Sequence, residues 1–267
     1  MSTLKKMLKR ENQAPSELLI SPRYEEYLAR TPNIMVDERV GDFIKSEITT
    51  PQRNRRMTFS ASARGACPRE QVFQFTSVKP VPKLNSDLHA IFHMGTFIHL
   101  KWQALLLDAG ILHDVEISCT DEELNMTGTL DGMGLIPDDH PLASHEEYGW
   151  ELKSINSHGF RWVNDRGPNA HHLLQIHAYM LMTGWDVWSL VYEDKDTSQW
   201  KEFVVHRDPA LIEQVQEELT YLNDSVFYKT LPPVLDECQK RQGAYRKCAF
   251  AHSCLEAGDW PERKIRL

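Results

Sequence analysis

The 267-residue sequence predicts a mixed α/β fold with a central sheet flanked by helices. Three observations predict it. Apolar side chains recur at three- and four-residue spacing over 86–109, 168–184 and 209–228. Short alternating or glycine-rich runs, ILHDVEISCT, NMTGTLDGMGLI, YGWELKSI, DVWSLVYED and WKEFVVH, are interleaved with those helices. Hydrophobic residues make up 41% of the chain, enough for a real core, yet no run approaches the ~20 apolar residues that span a bilayer.

Taken in order, residues 1–56 are polar, carry helix-like pieces such as SPRYEEYLAR, and read as a helical N-terminal extension ending in a proline-marked basic connector near 51–56. Residues 57–267 form the main domain. Its long helix, 86–109, has Ser86 or Asp87 to cap it and an apolar face of Leu88, Ile91, Phe92, Phe97, Ile98, Trp102, Leu105 and Leu106. Gly95 lowers helix stability within that face, so it predicts a close backbone approach. The strands follow over 111–205, with the last two expected as a hairpin-like pair. Among them PNAHHLLQIHAYMLMTG is opened by Pro168 and Asn169 and closed by Gly184. The helix at 209–228 has Pro209 in its first turn, and 236–256 is a cysteine-bearing segment.

A formal net charge of −8 argues against a generally basic nucleic-acid coat, but charge is segregated. Residues 51–70 and 238–248 are basic, whereas acidic residues gather at 121–123, 138–147 and 213–218. That separation suits a polyanion running along one face, and equally a solvated surface. The start, MSTLKKMLKRENQAPSELL, is charged without an apolar signal core, which predicts a cytoplasmic protein.

Chemistry concentrates in GTLDGMG and WELKS. Side chains two apart on a strand share a face, so Glu151 and Lys153 point one way and Leu152 the other. Asp131 lies on a neighbouring strand, where Gly128, Gly132 and Gly134 are expected to keep the surroundings open, and can bring a second carboxylate to the same spot. Two carboxylates at close range repel unless a cation separates them, and Mg²⁺ or Mn²⁺, as hard oxygen-seeking ions, fit that place. Lys153 would then assist an attacking water or a developing phosphate charge. Read from residues alone, an ordinary cross-strand Lys/Glu pair beside an unrelated aspartate fits as well.

The ensemble resembles the catalytic core of the PD-(D/E)xK nuclease superfamily, in its RecB-like branch. The branch places a histidine on the preceding helix, and GTFIHLKWQ supplies His99; its Q-x-x-x-Y motif is matched by Gln175 and Tyr179 in QIHAY. The resemblance covers roughly residues 60–260 and implies a restriction-endonuclease-like core. It implies that His99, Asp131, Glu151 and the Leu152 carbonyl hold Mg²⁺ or Mn²⁺, that Lys153 is catalytic, and that Gln175 and Tyr179 meet substrate. His89, His93 and His113 are nearby alternatives to His99, and His171, His172 and His177 receive no metal role, with His172 or His177 a candidate for substrate contact.

Five cysteines accompany this core: Cys67, Cys119, Cys238, Cys248 and Cys254. Without a secretion signal, metal binding or burial is expected over disulfides, and Cys119 in VEISCT reads as a small buried side chain. SARGACPRE, around Cys67, is similar to the motif that precedes the core in RecB-like nucleases carrying a 4Fe-4S iron–sulfur cluster, among them CRISPR-adaptation nucleases and related phage exonucleases. By that resemblance Cys67, Cys238, Cys248 and Cys254 hold the cluster and join the N- and C-terminal segments. Cys248 and Cys254 have the family's spacing; Cys238 departs from it, with nine residues before Cys248 and Tyr245 in the expected place. Structural zinc on the same four cysteines is the alternative.

The implied function is a metal-dependent DNA exonuclease acting on single-stranded DNA or DNA ends, in recombination, repair or phage DNA processing, in host cytoplasm if phage-encoded. A structure-specific endonuclease and a non-catalytic DNA-binding subunit of a recombination or spacer-acquisition complex are the alternatives. Residues 1–50 match no part of the resemblance; they are expected to cap a path for single-stranded DNA, with Tyr24, Tyr27 and the arginines at 53–56 stacking or pairing.

Overall fold

The computed structural model describes residues 13–31, 33, 36–49, 57–81, 86–256 and 260. The basic connector and the arginines at 53–56 lie outside the described residues. Among the rest the expected mixed α/β architecture is found. In chain order come α1 (Ser21–Arg30), α2 (Glu38–Thr49), β1 (Phe59–Ser60), α3 (Pro68–Phe75) and α4 (Ser86–Asp108). There follow β2 (Asp114–Asp121), β3 (Met126–Leu135), β4 (Glu147–Ile155), α5 (Ser157–Arg166) and α6 (Ala170–Thr183). The chain then forms β5 (Val187–Asp194), β6 (Trp200–His206), α7 (Pro209–Phe227), α8 (Asp236–Gln239) and α9 (Ala251–Glu256). Among the described residues no helix is long and apolar enough to cross a membrane.

The sheet runs β1-β3-β4-β5-β6, with β2 on β3. Pairing is antiparallel for β2/β3, β3/β4 and β5/β6, and parallel for β1/β3 and β4/β5. Alternation along β4 and β5 splits the core in two. Trp150, Leu152 and Val191 face α4, where Trp102, Leu105 and Leu106 cover them. Trp188, Leu190 and Tyr192 face α6 and α7, against Ile176, Val215 and Leu219.

Local chemistry explains the helix ends. Asn169 accepts from His171 N and caps α6, Gly184 ends it at φ 78°, and Asp208 caps α7 by accepting from Ala210 N ahead of Pro209. α5, which the sequence reading passed over, is capped by Asn156 accepting from Gly159 N.

Two expectations are corrected. The apolar face of α4 holds only in its second half: Ile98, Trp102, Leu105 and Leu106 are buried, whereas Ile91, Phe92 and Phe97 are exposed, since helical periodicity does not say which turns a neighbour covers. Tyr24 points inward, buried against Trp102 and Trp200, so its ring is not free to stack on a strand of DNA; Tyr27 is half-buried, its hydroxyl donating to Asp108 at 2.7 Å. The helix is seated by Glu202 of β6, whose carboxylate accepts from the backbone N–H groups of Leu19, Ile20 and Ser21 and from the Ser189 hydroxyl.

Candidate active site

β3 changes partners along one edge. Gly132–Leu135 pair with β4, while Met126 and Thr127 pair with β1; since β2 follows the other edge throughout, 128–131 lie in a fork between β1 and β4. Side chains take over the hydrogen bonds that a ladder would make there. The Leu152 N–H donates to Asp131 Oδ2 at 2.8 Å, the Tyr179 hydroxyl donates to the Thr129 carbonyl at 2.9 Å, and Gln103 Nε2 donates to the Asp131 carbonyl at 3.0 Å. On a strand the N–H and C=O of one residue share an edge, so the Leu152 carbonyl faces the same gap.

The fork gathers the sequence-predicted residues. His99 Nδ1, on α4, lies 3.5 Å from Asp131 Oδ2, with side-chain exposures of 30% and 15% that leave both open to solvent. Glu151 is only 3% exposed; its Oε1 accepts from Lys153 Nζ at 2.6 Å and from Gln175 Nε2 at 2.8 Å. Gln175 closes the circuit, with Oε1 accepting from Lys153 Nζ at 2.8 Å and Nε2 donating to the Tyr179 hydroxyl at 3.1 Å. Gln175 and Tyr179 are both buried, which puts them behind Lys153 rather than at the surface.

The glycines work otherwise than expected. A Cβ at Gly128 would sit 2.5 Å from the Tyr179 ring, one at Gly132 2.7 Å from Leu112, and one at Gly134 2.5 Å from the Tyr148 hydroxyl. They permit close packing rather than open space, and Gly128 is what lets Tyr179 reach the fork.

Electrostatics follow from burial and crowding. Burial, then Asp131, pushes the Glu151 carboxyl up to about 7 despite Lys153 and His99. Burial also opposes the charge on Asp131, but His99, Lys153 and the Leu152 N–H outweigh it and hold that carboxyl below its usual range. For His99, burial is outweighed by Asp131 and Glu151, and its pKa rises. Glu151 Oε2 is buried without a hydrogen-bond partner among the described residues. An acceptor of that kind, with a solvent-open aspartate, a histidine and a backbone carbonyl beside it, is a donor set suited to a hard divalent cation. Among the described residues no three His, Cys, Asp or Glu side chains converge closely enough to enclose one ion, and Glu151 Oε1 is itself turned to Lys153 and Gln175.

One neighbour escaped the sequence reading. Glu116 of β2 has a left-handed backbone, φ 53°, in mid-strand, and its Oε1 accepts from Gln103 Nε2 at 2.7 Å, the same amide that holds the Asp131 carbonyl. Burial and then Asp131, after the counteracting Gln103 bond, keep its carboxyl raised. VEISCT carries no motif that would mark it; only the meeting of α4 with β2 does.

The remaining histidines divide. His177 is buried, with Nδ1 2.7 Å from the Leu173 carbonyl and Nε2 accepting from Asp208 N at 3.0 Å, so it ties α6 to the start of α7 and cannot reach substrate. His172 Nδ1 lies 2.8 Å from the Tyr192 hydroxyl. His89, His93 and His113 are exposed, and His171 is half-buried.

Away from the fork, Cys67, Cys238, Cys248 and Cys254 line one small apolar pocket of about 20 Å³ with Phe73 and Phe250. All four are free thiols; burial raises Cys238, Cys248 and Cys254, with neighbouring thiols and Glu70 adding to it for Cys248 and Cys254 against the Phe250 N–H and Arg69. Among the described residues these cysteines share the pocket but, as they stand, do not converge closely enough to enclose an ion. Arg69 of the CPR motif donates to the Pro232 and Cys254 carbonyls, joining the two ends directly. Cys119 stands apart and half-buried, its thiol 3.5 Å from the Gly128 carbonyl.

The fold and fork together define a mixed α/β protein with an Asp/Glu/Lys site at a strand divergence. No protein-family model matches the chain, and neither does any curated protein. Among solved structures, the alkaline exonuclease LHK-Exo of Laribacter hongkongensis superposes over 65% of this chain and 90% of its own, at 17% identity and TM-score 0.48. The protein SSO0001 covers 79% of this chain and 91% of its own, at 15% identity and TM-score 0.47. Both likenesses are distant, so the site is read from its own geometry.

Proposed function

We propose that the protein is a metal-dependent deoxyribonuclease, acting as an exonuclease on single-stranded DNA or DNA ends. The observation that carries this reading is the fork itself: Asp131, Glu151 and Lys153 from two diverging strands, with an unpartnered buried Glu151 Oε2 and His99 alongside. Asp131, Glu151, His99 and the Leu152 carbonyl would hold Mg²⁺ or Mn²⁺. The cation supplies Lewis acidity and charge compensation at the scissile phosphate.

The chain's own groups do the rest. Lys153, at the half-open edge of the fork, orients the attacking water and offsets phosphate charge as it develops. Gln175 fixes the Lys153 ammonium by accepting from it, and Tyr179 fixes Gln175. Glu116 and Gln103 hold the Asp131 backbone in place. The four cysteines are read as ligands of an iron–sulfur cluster with a structural role, zinc being the other ion that the donor set accepts.

The test is cleavage of end-labelled linear and circular single-stranded DNA with Mg²⁺, Mn²⁺ or EDTA, using anaerobically purified protein. Metal-dependent loss of linear strands, abolished in Lys153→Ala, is expected. Cutting of circles would make the enzyme an endonuclease, and inactivity of the metal-loaded parent would leave a DNA-binding subunit.

A further inference from the structure

A cavity of about 320 Å³ opens farther along the same strand, lined by Thr58, Ser60, Ser62, Gln71, Gln74 and Thr127. Its position relative to the fork follows from register. Thr127 lies four residues before Asp131 on β3, about 13 Å along the strand, and Thr129 between them is exposed. Parallel pairing sets Ser60 beside Thr127.

The lining is neutral and rich in hydrogen-bonding groups. Thr58 and Thr127 hydroxyls lie 2.7 Å apart, and those of Ser60 and Ser62 2.8 Å apart. The Gln71 amide is committed to Arg64, Ala66 and Glu218, whereas Gln74 is exposed. No charged side chain is among the described lining residues. Arg64, which donates to the Ser60 carbonyl and the Gln71 amide, is fully buried and 3.3 Å from the Glu218 carboxylate. Among the described lining residues a phosphate would therefore meet no free counter-charge, while a base edge and a sugar match hydroxyl and amide donors and acceptors. The volume lies at the small end for ligand pockets and suits a single nucleotide rather than a duplex.

We propose that this cavity is a nucleoside subsite, taking the base and sugar of one nucleotide of a single strand whose scissile phosphate lies at the Asp131–Glu151 fork. The identity of the strand rests on the nuclease reading, and the two can fail separately.

The experiment measures anisotropy of 3′-labelled single-stranded oligonucleotides with the full chain in EDTA, moving one abasic site along the strand. In the parent, one position loses about tenfold in affinity, the scale of one base contact. That penalty vanishes in Ser62→Trp, which fills the cavity, and shrinks in the exposed Gln74→Ala, whose melting temperature serves as the folding control. A flat abasic profile in the parent, or a penalty unchanged in both variants, overturns the subsite. A loss that instead follows removal of the 5′-phosphate, and is sensitive to Ser62→Trp, also overturns it, in favour of a phosphate site. Parallel cleavage with Mn²⁺ separates the two readings: position-specific binding without cleavage sinks only the nuclease, and cleavage with a flat profile sinks only the subsite.

Discussion

Glu151 keeps an almost fully buried carboxyl group, with one oxygen shared by Lys153 and Gln175 and the other without a partner among the described residues. A buried charge left this way is unfavourable, so a cation that completes it should stabilise the fold by mass action. Mn²⁺ at about a hundredfold over its dissociation constant is expected to contribute about 2.7 kcal/mol, roughly 5 °C in melting temperature for a chain of this size. Asp131→Asn should lose that shift while remaining folded; an equal shift in both proteins would place the ion elsewhere. Gly128 acts by steric permission. Gly128→Ala drives a methyl into the Tyr179 ring and Ala61, and an overpacked core of this kind costs about 1–3 kcal/mol. Denaturant melts should show that loss, with cleavage falling at least tenfold as Tyr179 releases Gln175; unaffected activity would mean that Tyr179 does not position the site.

At the scale of elements, α1 and α6 show what local sequence can and cannot specify. SPRYEEYLAR announces a helix, but not that Glu202, more than 180 residues away, seats its N-terminus through three backbone N–H groups. Glu202→Gln replaces one acceptor oxygen with a donor facing those N–H groups, for a loss of about 2 kcal/mol. Limited proteolysis should then cut first within 13–49, and a digestion pattern like the parent's would refute the anchor. α6 carries two histidines kept neutral: burial, then Lys153 and His171, pushes His172 down to about 3, and burial lowers His177 against its Leu173 and Asp208 partners. A depressed histidine gives stability that is whole above its unfolded value of about 6.5 and is lost as pH falls below it, because the unfolded chain takes the proton first. Between pH 6 and 4 the parent should therefore lose stability more steeply than His172→Phe, by about 1 kcal/mol per pH unit, as read by urea melts at each pH. Equal slopes would mean that His172 titrates normally.

Across the whole molecule, what was legible depended on distance along the chain. Asp131, Glu151, Lys153, Gln175 and Tyr179 fall within fifty residues on elements with clear periodicity, so their convergence could be expected from spacing. Glu116 and Gln103 could not, since their place depends on a left-handed residue and on which helix crosses β2. The two-residue β1 was equally invisible, and without it the fork has no second arm. The apolar count along α4 misled because periodicity does not report which turns of a helix are covered by a neighbour. Cysteine spacing likewise left Cys238 doubtful, yet the chain returns it to the pocket with Cys67, Cys248 and Cys254. Those ends are already joined by Arg69, by Phe73 against Phe250, and by Val81 N donating to the Ala249 carbonyl. A metal on four thiolates would add a cross-link closing more than 170 residues, for which chain entropy alone sets a scale of about 4–5 kcal/mol. Anaerobically prepared protein should contain iron and sulfide with visible charge-transfer absorbance, and Cys254→Ser should lose both the colour and a comparable share of its stability. Stoichiometric zinc in a colourless parent would assign the same four ligands to zinc. A Cys254→Ser protein that keeps both metal and melting temperature would remove Cys254 from the ligand set.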